Sequence, residues 1–533
     1  MNSKAYYFKL VKKFKKPLII VSILALFASA CTVGFAYASK YLLDSIDEPI
    51  FYTYLYVLIG FVLLEIAFKI FNTYLQNRYY AKIQIQIKRD FYLGLLKTDS
   101  SALQTYRESD LLTRLTNDTK IVSSGVMTII PQVVLMGSRI VFALAVLFVL
   151  DWMFGLILLV AGVLIFVLTM LLRRYNKKLQ KNIQEAEGQT LGFYQEGIRN
   201  LDVLKIFNNR KQVEQKQSEV NQNYYSANMK KYNFNLGVNS GFLFVMRGSY
   251  LFAIIWCAFR FDQGVTFGSL LAIVQLISQI TIPFTNLSGV LPTYYSCLAS
   301  IDRIYEIENL SKEERKRTVE FKSLDVKNLS YSYDREVVIA PSSFKIKKNE
   351  FTLIKAGSGE GKTTLIKLLM GLYRPSKGQV LINNAIPSTS VKDLFAYLPQ
   401  TNLMMSGTIK ENLLFYADNA SDEKIQEALK LACIKDDIDA FPKGVDTYLY
   451  DYGSGLSEGQ LQRVAIARVI LADKQVIVLD EATSALDAKL EEQVLINLKS
   501  LNKTIVFISH KKLTSSFADK ILTIEHGVVT DAK

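Results

Sequence analysis

The chain has 533 residues, 50% of them hydrophobic, a mean hydropathy of +0.17 and a net charge of +14. That is too long for one ordinary domain and too apolar for an ordinary soluble protein. The positive excess lies beside apolar runs rather than in a separate tail, which argues against nucleic acid and for a membrane with basic residues on its cytoplasmic side. The four cysteines (Cys31, Cys257, Cys297, Cys433) form no CxxC pair, and two histidines cannot build a metal site, so neither a disulfide framework nor a zinc centre is indicated.

Residues 1–16 carry Lys4, Lys9, Lys12, Lys13, Lys15 and Lys16 around apolar positions and read as an interfacial elbow helix. Residues 17–295 read as a transmembrane domain of about six helices, with apolar spans near 17–45, 51–76, 125–149, 153–172, 236–260 and 265–293. The sequence Ala28-Ser29-Ala30-Cys31 mimics a lipoprotein cleavage site, but the apolar run continues to Leu43, too long for a signal-peptide core. The acidic connection at 44–49 should face outside. The polar, basic stretches 77–124 and 173–235 should be cytoplasmic and helical. An even number of spans then returns the chain to the cytoplasmic side.

Polar residues interrupt the spans at Glu65, Lys69, Arg139, Arg247, Gln275 and Gln279. Such groups are costly in lipid and should face a bundle interior or a water-filled cavity. Glu65 and Lys69, four apart, can pair with each other. Arg139 and Arg247 lack a local acid and are the better candidates to line a cavity.

Residues 296–320 read as a linker and 321–533 as an α/β domain. The stretch 324–333 alternates as a strand and ends in Tyr331 and Tyr333. A strand at 351–355 runs into Ala356, Gly357, Ser358, Gly359, Glu360, Gly361, Lys362, Thr363 and Thr364, then an apolar helix. This strand, glycine-rich loop and helix form a phosphate cradle. Backbone N–H groups and the helix dipole attract phosphate, Lys362 adds a point charge, and the Thr363 hydroxyl suits Mg²⁺. Ala356 stands where the usual pattern has its first glycine, and its Cβ could restrict the entry to the loop.

Further on, an apolar strand at 476–479 delivers Asp480 and Glu481. Asp480 suits Mg²⁺ and Glu481 suits the role of general base toward water. About twenty residues upstream lies Leu456-Ser457-Glu458-Gly459-Gln460.

An LSxGQ segment before an acidic strand, with a phosphate loop upstream, resembles the nucleotide-binding domain of ABC ATPases. Behind six spans it resembles a type IV ABC exporter half-transporter. The resemblance implies the remaining roles. Tyr333 should stack on adenine, with Tyr331 as runner-up. Gln400, in Tyr397-Leu398-Pro399-Gln400, should sense Mg²⁺ and the attacking water. His510 should orient the γ-phosphate, and Asp487 belongs to the loop after the acidic pair. Ser457, Gly459 and Gln460 should meet the ATP held by an opposing subunit. The run 447–453, with three tyrosines, departs from the family pattern. The stretches 108–118 and 196–207 resemble the two regions that couple the ATPase to the membrane domain.

The implied protein is an ATP- and Mg²⁺-dependent transport ATPase of a bacterial cytoplasmic membrane, with its N-terminus and ATPase domain in the cytoplasm. It would work with a second half-transporter, a homodimer being favoured and a heterodimer possible. Its other partners are membrane lipid and an exported peptide, lipid or amphipathic drug-like molecule. An ATP-gated channel or regulatory protein is the alternative.

Overall fold

The computed structural model describes residues 3–207, 210–261, 265–313, 319–333, 336–357, 359–401, 404–417, 420–450, 453 and 455–532. The chain divides into two units. One is Met1–Gly94 with Glu108–Asn309, the other Leu95–Arg107 with Leu310–Lys533.

The first unit is helical. It holds α1 (Ser3–Lys13), α2 (Lys15–Asp44) and α3 (Phe51–Leu96), whose last residues, with α4 (Ser100–Leu103), belong to the second unit. It continues with α5 (Glu108–Thr113), α6 (Thr119–Leu150), α7 (Trp152–Arg199), α8 (Leu201–Phe207), α9 (Arg210–Phe259) and α10 (Phe267–Glu308). Among the described residues, five helices are long and apolar enough to cross a bilayer. A sixth apolar stretch, Phe267–Pro283, is shorter. Pro283 and Pro292 interrupt hydrogen bonding within α10. A span needs about 20 residues. At 48 and 50 residues, α7 and α9 therefore continue roughly 40 Å beyond one.

The apolar core of this unit joins Val33 and Ala36 of α2, Ala143 and Leu147 of α6, Phe154 of α7, Ala253 and Cys257 of α9 and Ile273, Leu276 and Ile277 of α10. Polar clamps fix the short connections. Asp151 caps α7 by accepting from the backbone N–H of Met153 and Phe154, and also accepts from Trp256 Nε1 at 2.9 Å and Arg260 at 2.7 Å. Asp44 accepts from the Thr266 hydroxyl at 2.9 Å and the Gly268 N–H at 3.2 Å. Glu65 and Lys69 pair on α3. Arg247 is exposed on α9, whereas Arg139 lines a cavity.

The stretch 108–118 does not fold with the ATPase half. A single π-helical turn, Arg114–Asp118, joins α5 to α6 and turns its charges inward. Arg114 is buried between Asp110 and Glu306, both at 2.8 Å. Arg303 donates to Asp110 at 2.7 Å, and Ser300 donates to Asp118 at 2.9 Å. The segment that packs on the ATPase half is Leu95–Arg107.

The second unit holds β1 (Ser323–Tyr333), β2 (Glu336–Lys347), β3 (Phe351–Ala356), α11 (Lys362–Leu369), β4 (Lys377–Ile382), β5 (Ile386–Pro387) and β6 (Phe395–Leu398). Then come β7 (Gly407–Thr408), α12 (Ile409–Leu414), α13 (Asp422–Leu431), α14 (Lys435–Asp439), β8 (Tyr448–Leu449) and α15 (Glu458–Leu471). Last are β9 (Val476–Asp480), α16 (Ala488–Ser500), β10 (Thr504–Ile508), α17 (Lys512–Phe517), β11 (Lys520–Glu525) and β12 (Val528–Asp531).

The main sheet runs β12-β11-β3-β10-β9-β6. It is parallel except at β12. Its central strands are buried along their length, as expected of a sheet covered on both faces. A second, antiparallel sheet runs β2-β1-β4-β5. The ends of β3 and β9 carry the phosphate loop and the acidic pair, on strands separated only by β10.

Candidate active site

The backbone of the phosphate loop is set by glycines where it must turn. Gly359 and Gly361 have φ of +83° and +91°, a region that side chains resist. Ala356 ends β3 in register with Ile524 and is outside that region, so its Cβ meets no backbone restriction. Ser358 lies outside the described residues. The loop presents N–H groups to anions: the Glu360 carboxylate accepts from the Gly357 N–H at 2.5 Å. A triphosphate fits such a cradle at the start of α11.

Four chemically distinct groups converge beside the loop. Glu481 Oε2 accepts from the Gln400 amide at 2.9 Å. Its Oε1 lies 3.6 Å from both Lys362 Nζ and His510 Nε2. Lys362 and His510 are in direct hydrogen-bonding contact. The Thr363 hydroxyl donates to Asp480 at 3.3 Å. Asp480 is buried, and burial pushes its carboxyl above the usual range. Glu481 adds to the rise, while Thr363 and Lys362 oppose it. A divalent cation between Thr363 and Asp480 would supply the charge that this burial lacks.

Glu481 has φ of +54°, a strained conformation for a glutamate, and its N–H donates to Ile508 O at 3.1 Å. The strand end on β10 thus holds the carboxylate that the neighbouring strand β9 delivers.

The two tyrosines at the end of β1 divide their work. Tyr331 is buried, stacks on Tyr373 with ring centroids 5.8 Å apart, and donates its hydroxyl to Gln104 at 2.9 Å. Tyr333 is 41% exposed and lies 3.3 Å from the Thr364 hydroxyl at the head of α11. It is Tyr333 that retains a free face for a base.

The LSEGQ segment forms the N-terminus of α15. Ser457 is the N-cap, and a capping box joins it reciprocally to Gln460 at 3.3 and 3.0 Å. Gln460 also donates to Asp437 at 3.0 Å, so its side chain is committed to shaping this helix end. Asp487 likewise caps α16, accepting from Lys489 and Leu490 N–H at 3.0 Å. A Cβ on Gly459 would lie 3.3 Å from Ala485 O, so the signature and the loop 482–487 touch backbone to backbone. Among the described residues, no hydrogen bond joins Ser457 or Gly459 to the phosphate loop.

Several supporting residues carry no signal of spacing. Tyr373 supports Tyr331, and Tyr397 hydrogen-bonds Asp480 with its hydroxyl pushed up by burial. Gln462 bridges α15 to Ser484 and Ala485 at 2.7 and 3.0 Å. Lys511, beside His510, donates to Thr483 O and Leu486 O and pairs with buried Glu491 at 3.1 Å. Its position next to the histidine was the one available hint. Asp451 and Tyr452 of the tyrosine-rich run lie outside the described residues. Tyr448 pairs with Thr408 between β8 and β7.

The ABC transporter transmembrane region family matches residues 18–284, and the ABC transporter family matches residues 339–484. An ATP-dependent lipid A-core flippase of Haemophilus influenzae is 26% identical over 98% of this chain and 92% of its own length. An uncharacterized ABC transporter ATP-binding protein of Bacillus subtilis is 28% identical over 79% of this chain and 72% of its own length. A solved bacterial Atm1-family ABC exporter with ATP bound superimposes with a TM-score of 0.81 at 21% identity, covering 97% of this chain and 94% of that one, a likeness of fold. With its membrane helices, phosphate loop, acidic strand and signature helix in one chain, the protein belongs to the ABC transporter family as an exporter-type half-transporter and transport ATPase.

Proposed function

We propose that two copies of this chain hydrolyse ATP at composite sites and use the closure to export a substrate by alternating access. The observation that carries this reading is the convergence of Gln400, Glu481, Lys362 and His510 beside the phosphate loop. Tyr333 holds the base of the nucleotide and the loop amides and Lys362 hold its phosphates. Thr363 and Asp480 bind Mg²⁺, with Gln400 beside them. Glu481 takes a proton from water, and His510 orients the terminal phosphate. Mg²⁺, when bound, neutralises charge developing on the phosphates.

Among the described residues, Ser457 and Gly459 make no hydrogen bond to their own phosphate loop, and their helix end is read as serving the ATP of a second copy. Gln460 and Asp487 support that surface as caps. The helix α8 exposes Leu201, Val203 and Ile206, which suits docking on an ATPase unit of the partner. An intact Glu481 favours a homodimer over an asymmetric heterodimer. The ATPase unit is assigned to the cytoplasm, where ATP is available.

The test is Mg²⁺-dependent ATP turnover by the purified chain alone in lipid nanodiscs, with Glu481→Gln as the blank. Turnover supports the homodimer. Normal ATP binding without turnover would overturn it in favour of a partner half-transporter.

A further inference from the structure

A polar stripe runs along the mostly apolar helix α6. Ser124, Thr128, Gln132 and Arg139 recur at spacings of four, four and seven, and so share a face. On α10, Asn286, Gly289 and Thr293 recur at three and four. The two stripes line one cavity of about 470 Å³, with Leu135, Met136, Pro283 and Val290 as its apolar lining. That volume suits a small amphiphile.

Arg139 closes the row. It lies eleven residues before the end of α6 at Leu150, about 16 Å along the axis and so near the middle of a span. A guanidinium at that depth is costly unless it serves a site. Its Nε is buried and has no hydrogen-bond partner among the described residues. Among the described residues, the carboxylate whose charge reaches it is Glu65, which is engaged by Lys69. Gln132, Thr128 and Ser124 continue the polar row toward the start of α6, over roughly 22 Å from Ser124 to Arg139.

We propose that this cavity is an anion-accepting substrate site. Arg139 takes a phosphate or carboxylate group, Gln132 and Asn286 supply amide contacts, and the apolar lining holds the attached hydrocarbon. This deepens the export reading above and rests on it, naming an anionic amphiphile as the substrate class. A guanidinium suits oxyanions because its planar fork donates two parallel hydrogen bonds. Gly289 lets the ligand approach the backbone of α10, and a Cβ there would enter open space.

The test is calorimetric titration of n-octyl phosphate into the full chain in phosphatidylcholine nanodiscs without nucleotide, with n-octanol and n-octylammonium as matched probes. Saturable binding of octyl phosphate alone is expected. Arg139→Gln should weaken it about ten-fold or more, Arg139→Lys less, as loss of one charge-assisted pair implies. Gly289→Leu, which fills the cavity and spares the charge, should also abolish it. Equal binding of octanol, or no effect of Arg139→Gln in a variant that retains the wild-type melting point, would overturn the site. So would unchanged phosphate binding in both Arg139→Gln and Glu65→Gln with the two lowering the melting point alike, the mark of a purely structural Arg139–Glu65 attraction. Phosphatidylglycerol in the disc separates sources of the anion. Competition identifies a lipid headgroup, and its absence a free amphiphile. Wild-type ATP turnover without octyl phosphate, measured in parallel, reports on the export reading separately.

Discussion

Gln400 donates its side-chain amide to Glu481 at 2.9 Å, tying the second residue past β6 to the carboxylate just past β9. The loop that follows Gln400 can therefore shift the carboxylate, or be held by it. Because Glu481 also faces Lys362 and His510, its position reports on three other groups at once.

Glu481→Gln keeps the shape and the hydrogen bond from Gln400 but removes the base. Steady ATP turnover is expected to fall by at least about 100-fold, as for loss of general base catalysis, while fluorescent ATP binding persists. Near-wild-type turnover would sink the base assignment. Gln400→Ala should lower turnover with little change in ATP affinity, read from a split between kcat and KM.

Asp480 makes an opposite prediction for stability. Its carboxyl is raised by burial, with Glu481 adding to the rise, so in the absence of nucleotide its contribution is fully present below the unfolded carboxylate pKa and lost as pH rises through the raised folded value. Asp480→Asn should therefore abolish Mg²⁺-dependent turnover yet raise the nucleotide-free melting temperature at pH 7 by about 2–4 °C per kcal/mol recovered. A lower melting temperature would show that the charge is already compensated.

Tyr333→Ala should raise the KM for ATP about ten-fold, the scale of one lost base–aromatic stack. Tyr331→Phe removes only the bond to Gln104 and should leave ATP affinity near wild type. If Tyr331→Phe is the damaging change and Tyr333→Ala is not, the adenine platform has been assigned to the wrong tyrosine.

Asp99 is buried and accepts from Arg374 at 2.8 Å and from Ser101. Burial alone would raise its pKa, but Ser101 and Arg374 outweigh it and hold the carboxyl below its usual range. A lowered folded pKa contributes stability above the unfolded value and loses it as pH falls through the folded one. The anchoring of the Leu95–Arg107 segment should thus weaken only in strong acid. Asp99→Ala should loosen it at neutral pH, seen as faster tryptic cleavage after Lys97 or Arg107. An unchanged cleavage rate would show that the Tyr331–Gln104 bond and the Lys312 ammonium, which donates to the Thr98 hydroxyl at 3.0 Å, suffice.

The parts of the nucleotide site that lie within one loop were legible from sequence, because glycine, lysine and carboxylate spacing is a local property. Asp480 and Glu481 stand at the end of β9, and Lys362 opens α11 after β3, two strands that the apolar runs foretold. What long-range packing decides was not legible. The stretch 108–118 has the polar spacing of a surface helix, yet Arg114 and Asp118 are buried and bonded to α10, nearly two hundred residues on. Gln460 and Asp487, expected among the nucleotide ligands, also cap helices. Acceptor side chains do either job, and a sequence does not separate the two. Gln104 gives no hint that it meets Tyr331.

The residence of Leu95–Arg107 within the ATPase half bears on how this enzyme is handled. An ATPase fragment cut at the residue where the first strand begins would strip Tyr331 of Gln104 and Arg374 of Asp99. Tyr331, buried in the whole chain, would open to water beside Tyr333, whose ring centroid lies 5.0 Å away. Nucleotide constants taken from such a fragment would describe a site with its wall removed, and the smallest faithful ATPase is one that still carries the foot of a membrane helix.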